Sequence, residues 1–330
     1  MATSKAKIAD LHCDLLSYLT EEKGEINNPA SRCSWPQLKK GGVFLQVLAL
    51  FTDGGKEATL SFQRQVDTFL NLQTLHPDHF SHLSELKMPK EKPQVQVLPA
   101  IENASGLCAE EEALDLCFRR FDEFKEISSS PILYLSLTWN YENRFGGGSK
   151  SRAGLKPDGK LLLEYLSGKQ IAIDLSHASD ALADEIFNHI DKKGLQIIPI
   201  ASHSNFRAVC NQPRNLTDLF AKEIAARGGV IGLNFVKHFL GQDFISHMNH
   251  AKKLDIFNHC CFGADFFCES QIASLLPLIP FFYKGFSDAS CYPKVIEKLG
   301  LNGQEQELLS YQNLAQFFTR LKEGMNAHSR

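Results

Sequence analysis

Eight short apolar runs punctuate the chain: Ile8–Leu11, Val43–Leu50, Val95–Ile101, Ile132–Leu137, Ile171–Leu175, Ile197–Ala201, Val230–Phe235 and Cys260–Gly263. Such runs, bounded by polar turn residues, have the pattern of strands buried on both faces. Most gaps carry apolar residues at helical spacing, in Asp67–Leu75, Glu110–Ile127, Gly159–Leu166, Leu219–Ala226 and His247–Leu254. Strands alternating with helices argue for parallel β-α-β units, and eight of them for an α/β fold of the closed (β/α)8, TIM-like kind. An open doubly wound sheet fits the alternation too. It would gather its site at one switch point, whereas polar residues end nearly every run here.

The clearest unit is Ile171–Asn215, which reads IAIDLSHASD, a polar helical segment ending at Gly194, and IIPIASHSNFRAVCNQPRN. Both of its strands stop at a polar residue followed by a histidine, His177 and His203. The carboxyl ends of parallel strands are where such folds do chemistry. The other runs add His12-Cys13-Asp14, Glu102, Thr138-Trp139-Asn140 and Asp265 to that rim. Imidazoles and carboxylates form a hard-to-borderline ligand set suited to zinc or a similar divalent ion. His12 and Asp14, two apart on an extended strand, share a face and can grip one ion. The donors exceed what one tetrahedral ion needs, so a pair of ions bridged by a carboxylate is expected. Two ions about 3.5–4 Å apart can hold a bridging hydroxide and polarise the carbonyl it attacks, which is hydrolytic chemistry. Arg214 offers a rigid fork for a substrate carboxylate, and Asp265 an acid/base or a partner for an ammonium.

Other features get plainer readings. The run His76-x-x-His79-x-x-His82 sits in a proline-flanked stretch to Pro93 that reads as a surface connection. His247 and His250 read as a solvated helix face, and Cys260-Cys261 as core packing. The loop Asn143–Gly159, with Gly146-Gly147-Gly148, reads as a flexible cover over the strand ends, not a phosphate cradle. Residues 1–330 are expected to form one barrel domain with a carboxyl-terminal extension from about residue 268. That extension holds the apolar Ile272–Phe286 and a final helical stretch, Gln304–Leu321. A net charge of −3 offers no nucleic-acid or membrane footprint. Nine cysteines without a C-x-x-C pair argue against a disulfide framework, and the amino terminus lacks a signal peptide's apolar core. A cytoplasmic protein is expected.

At these residues the chain resembles the membrane dipeptidase (renal dipeptidase) family, a branch of the metal-dependent amidohydrolase barrels. The resemblance runs from about Ile8 to Phe267. It is carried by IDLSHAS at Ile173–Ser179, ASHSNFRAVCNQPRNLTD at Ala201–Asp218, GLKPDGK at Gly154–Lys160, RGGVIGLNF at Arg227–Phe235 and FGADF at Phe262–Phe266. It implies a barrel with two zinc ions that cleaves dipeptides, often tolerating a D-residue at the carboxyl side, and a homodimer. His12 and Asp14 look like ligands of the first ion, His177 and His203 of the second, and Glu102 like the catalytic bridging glutamate. Arg214 matches the arginine that binds the terminal carboxylate. Asp265 matches the catalytic aspartate that meets the amino group and moves a proton. Trp139 and Asn140 fall where the family lines its substrate pocket. Three positions depart from the common pattern: Trp139 replaces a histidine, Val236 follows Asn234-Phe235 in place of tyrosine, and Phe267-Cys268 follows Asp265-Phe266. The departures touch the pocket and spare the ligands. Two alternatives remain: a hydrolase of another small amide such as an N-acyl amino acid, and a metal-retaining binding protein.

Overall fold

A computed structural model describes residues 7–21, 24–90, 92–271 and 279–323. Nine strands form one parallel sheet: β1 (Ile8–Cys13), β2 (Val43–Phe51), β3 (Phe80–His82), β4 (Val95–Glu102), β5 (Tyr134–Ser136), β6 (Ala172–Asp174), β7 (Pro199–Ile200), β8 (Ile231–Leu233) and β9 (Cys260–Phe262). Eight of them lie in the order β7-β6-β5-β4-β2-β1-β9-β8. The two ends of that path meet in a parallel bridge between Ala201 and Ile231, where Ala201 N donates to Val230 O at 3.0 Å and Gly232 N to Ala201 O at 2.7 Å. The result is a (β/α)8 barrel, and each of the eight apolar runs is one of its staves. Their continuous hydrophobicity follows from burial on both faces: every residue of β1 and of β4 is buried.

Inside the barrel, Ala9, Leu11, Leu45, Val47, Leu98, Ala100, Leu133, Ala172, Ile200, Val230 and Cys261 pack in a core of their own. Where the staves converge there is room only for glycine. A Cβ on Gly232 or Gly263 would lie 1.9 or 2.0 Å from the carbonyl oxygen of Ser202. The amino end is closed by the terminal helix Asn313–Glu323, whose Leu314, Phe317, Phe318 and Leu321 join the same cluster. The extension thus plugs the barrel.

Three expectations are corrected. The stretch from His76 to Pro93 is not a bare surface connection, because buried Phe80 seeds β3, which pairs with β4 beside the barrel path. There His82 stacks on Phe69 at 4.3 Å, and His79 meets Trp35 edge to face at 4.2 Å. His247 is fully buried, not solvated: its Nδ1 accepts from Phe206 N at 3.2 Å and its Nε2 meets Leu240 O at 3.0 Å. His250 is bound to Asp218 at 2.7 Å. The glycine run at 146–148 is packed, not loose. A Cβ on Gly147 would lie 2.1 Å from Ala153 O, and one on Gly148 2.1 Å from Trp139 O, so the missing side chains let the loop lie flat on the β5 end. Cys260 and Cys261 are core residues as expected, and all nine cysteines are free thiols. Of the segment Ile272–Phe286, positions 272–278 lie outside the described residues.

Candidate metal centre and substrate cleft

The carboxyl ends of five staves converge on one buried cluster. His12 lies next to last in β1, within a register break between Asp10 and Cys13, and Asp14 follows the strand two residues on, so both side chains face the barrel axis. His12 Nε2 lies 3.4 Å from Glu102 Oε2, 3.7 Å from Asp14 Oδ1 and 3.8 Å from Asp265 Oδ1. The other Glu102 oxygen, Oε1, lies 3.0 Å from His177 Nε2 and 3.8 Å from His203 Nε2, and the two histidine nitrogens are 2.9 Å apart. One carboxylate therefore faces two groups of donors, one oxygen to each.

The hydrogen bonds around the cluster give the outer nitrogen of each imidazole an oxygen partner. Ser202 Oγ gives its proton to Asp174 Oδ2 at 2.6 Å, so at 2.7 Å it can only accept from His203 Nδ1. Tyr134 donates to Leu11 O at 3.2 Å and accepts from His12 Nδ1 at 2.7 Å. Asn140 Oδ1 accepts from His177 Nδ1 at 2.9 Å and from Ser149 Oγ at 3.0 Å. Each ring thus has an oxygen partner for a proton on its outer nitrogen, and a ring so protonated turns a bare lone pair inward, the arrangement of metal-ligating histidines. His12 Nε2 and Asp14 Oδ1 are buried without a hydrogen-bond partner among the described residues. Burial pushes the Glu102 carboxyl up to about 8 and the Asp265 carboxyl up to about 6, and it drives His177 and His203 well below the ordinary imidazole range. Lone pairs and carboxylates crowded at 2.9–3.8 Å repel one another unless a cation lies between them. Two ligands each 2.0–2.1 Å from a tetrahedral ion lie about 3.3 Å apart. The residues fit divalent metal.

Backbone strain marks the same places. His177 and Asp265 sit in the left-handed region at φ 68° and 62°, and Asn103, next to Glu102, at φ 76°. For residues with a Cβ this costs on the order of 1–3 kcal/mol each. Capped helices take over just beyond: Ser179 Oγ accepts from Leu182 N at 3.0 Å at the start of Asp180–Lys193, and Thr217 caps Asp218–Ala226. His177 is therefore held in a short connection between β6 and a fixed helix start, and Arg214 lies near the end of the longer connection from β7 to its capped helix.

Above the cluster opens a cleft of about 270 Å³ lined by Asp14, Glu102, His177, Arg214 and Asp265 among others. Arg214 is buried and makes no ion pair among the described residues. Its guanidinium reaches Ser204 Oγ at 3.3 Å and His203 O at 3.5 Å and stacks on Phe239 at 5.6 Å, while Nε has no partner. An unfilled, desolvated guanidinium facing a cleft suits a carboxylate. Asp265 takes one hydrogen bond from Asn234 Nδ2 at 2.8 Å on Oδ2, leaving Oδ1 toward the cluster. Trp139 and Asn140 line the cleft as well, Asn140 also holding His177. The three departures noted in the sequence, Trp139, Val236 and Phe267, all fall on this cleft.

The residue-by-residue reading missed the supporting groups Tyr134, Asp174, Ser202 and Asn234, together with Asp10. Asp10 Oδ1 accepts from His12 N at 3.1 Å and from Ala264 N at 3.2 Å, tying β1 to β9, and its other oxygen accepts from the Tyr292 hydroxyl. The available signal was a polar residue inside an otherwise apolar buried strand, as at Asp10 and Asp174.

Comparison with known proteins agrees with this architecture. The dipeptidase AC, a metallopeptidase of family M19, superposes with a TM-score of 0.78 at 19% identity, covering 96% of this chain and 99% of that one. A metallopeptidase from Rhodobacter sphaeroides, solved with a phosphinate mimic of L-Ala-D-Ala, gives 0.76 at 18% identity, covering 96% and 100%. An uncharacterized protein of the pqqA 5′ region of Klebsiella pneumoniae is 28% identical over 190 residues, 52% of this chain and 64% of its own length. The chain aligns with less than two thirds of the length of the curated relatives it matches. No helix among the described residues is long and apolar enough to cross a membrane. The model of the membrane dipeptidase family, peptidase family M19, matches residues 2–326, and the chain belongs to that family.

Proposed function

We propose that this chain is a metal-dependent dipeptidase that uses two zinc ions. The observation that carries the reading is Glu102, with one carboxylate oxygen turned to His12 and the other to His177 and His203. His12 and Asp14 would hold one ion, His177 and His203 the other, and Glu102 both. When bound, the ions supply Lewis-acid polarisation of the scissile carbonyl and a water acidic enough to attack at neutral pH. Arg214, which lines the cleft, receives the substrate's terminal carboxylate, which sets the register of the peptide bond over the cluster. Asp265 accepts a hydrogen bond from the substrate's ammonium and, with its carboxyl raised to about 6, exchanges a proton with the departing amine. Tyr134, Asn140 and Ser202 keep the imidazole protons on the outside.

To this reading belong a single barrel domain in which the residues from about 268 are integral, a homodimeric assembly and a cytoplasmic location. Limited proteolysis, light scattering and fractionation test these in turn. The apolar cleft around Trp139 favours a second reading, hydrolysis of N-acyl amino acids. A panel of L,L- and L,D-dipeptides and N-acyl amino acids, assayed with purified zinc-loaded protein, separates the two. Dipeptide cleavage supports the first; turnover of acyl substrates alone overturns it.

A further inference from the structure

We propose that the cleft contains an aromatic-walled subsite for the amine-side residue of the dipeptide, which selects a large apolar side chain there. This rests on the dipeptidase reading above and goes on to name the substrate class. With the carboxylate at Arg214 and the ammonium at Asp265, the ends of the substrate are fixed on the β7–β8 side and at the β9 end. The amine-side substituent then projects over the remaining arc, past the ends of β1, β2, β4 and β5. That arc carries Phe51 and Trp139, beyond β2 and β5, and the wall continues on the Asp265 side with Phe267, beyond β9, and Phe281 of the extension, Ser17 and Cys268 also lining the cleft.

These rings are anchored to one another. Phe51 and Trp139 meet edge to face at 5.1 Å, Trp139 lies 6.0 Å from the His177 ring, and Phe267 packs on Phe281 at 5.2 Å and on Phe282 at 5.4 Å. Phe267 and Phe281 are buried, while Phe51 and Trp139 stay half-buried and keep surface free toward the cleft. Among the described lining residues, the carboxylates Asp14, Glu102 and Asp265 belong to the floor and are claimed by the ions and the ammonium. The rim ammonium of Lys150 lies 5.0 Å over the Tyr141 ring and donates to its hydroxyl at 3.3 Å. A charged substrate side chain would lose water against ring faces, with only the exposed Lys150 and His238 as further cations of the described lining, whereas an aromatic or branched aliphatic one would bury area against the rings.

The test uses the full zinc-loaded chain and the dipeptides Phe-Ala, Leu-Ala, Gly-Ala, Asp-Ala and Lys-Ala. Expected is a kcat/KM for Phe-Ala and Leu-Ala about tenfold or more above Gly-Ala, with Asp-Ala and Lys-Ala lowest. Calorimetric Kd values for phosphinate analogues bearing Phe, Gly or Asp on the amine side should follow the same order. Phe51→Ala and Phe267→Ala, each checked for folding by circular dichroism, should shrink the Phe-to-Gly ratio. Hydrolysis with a flat profile, or a preference for charged side chains, overturns the subsite and leaves the dipeptidase standing. No hydrolysis of any dipeptide overturns both.

Discussion

At its amino end the barrel is filled by Leu314, Phe317, Phe318 and Leu321, packed under Ala9, Leu45 and Leu98. At its carboxyl end the same staves bury His12, Glu102, His177 and His203 with inward-facing nitrogens and oxygens, three left-handed residues with a Cβ and, among the described residues, partnerless polar atoms. Apolar contacts at the first end lower the free energy of the folded chain. The second end raises it until a cation arrives, because desolvated donors and carboxylates face one another. Stability and function are thus separated along the barrel axis, as is general for this architecture.

Substitutions at the two ends should therefore fail in opposite ways. The largest effect is expected at Glu102: Glu102→Gln lowers kcat/KM by about 10³-fold or more, since it weakens the proposed sites of both ions. The thermal midpoint of the metal-free protein holds or rises in the same variant, because a carboxyl whose charged form burial disfavours gives way to a neutral amide of the same shape; a fall would show that Glu102 serves the fold. At the other end, Phe317→Ala removes a fully buried ring and should cost about 3–5 kcal/mol in denaturant unfolding. Its kcat/KM per folded molecule and its metal content should match the parent protein. Ser202→Ala takes away the acceptor of His203 Nδ1 and should weaken metal affinity about 10–100-fold, read by competition with a chelator. Unchanged affinity would mean that the Asp174–Ser202–His203 chain does not orient the ring. The smallest effect serves as the control: Arg119→Ala, which breaks an exposed pair with Glu123 at 3.6 Å, should change stability by less than about 0.5 kcal/mol and leave activity alone.

Much of the carboxyl end was legible in the sequence, because each ligand candidate follows a buried strand and a residue's place at a strand end needs no knowledge of packing. The staves were legible for the same reason, as continuous apolar runs. What failed depended on contacts between distant segments. His247 follows helical spacing on a chain of mixed polarity, yet the backbone of Phe206 and Leu240 draws it inside. Phe80 looked like part of a polar connection until β4 offered it an edge. The glycines at 147 and 148 signal flexibility or close approach equally well, and only the positions of Ala153 and Trp139 decide between them. The plug of Leu314, Phe317, Phe318 and Leu321 shows as an amphipathic helix, but nothing local says which opening it fills.

The central claim is that Glu102 joins two metal positions. It is tested most directly by the zinc content per chain of the metal-loaded Glu102→Ala variant, measured after removal of loosely bound metal and beside the parent protein. The account predicts two ions in the parent and fewer than two in the variant. A variant that still holds two ions would contradict it.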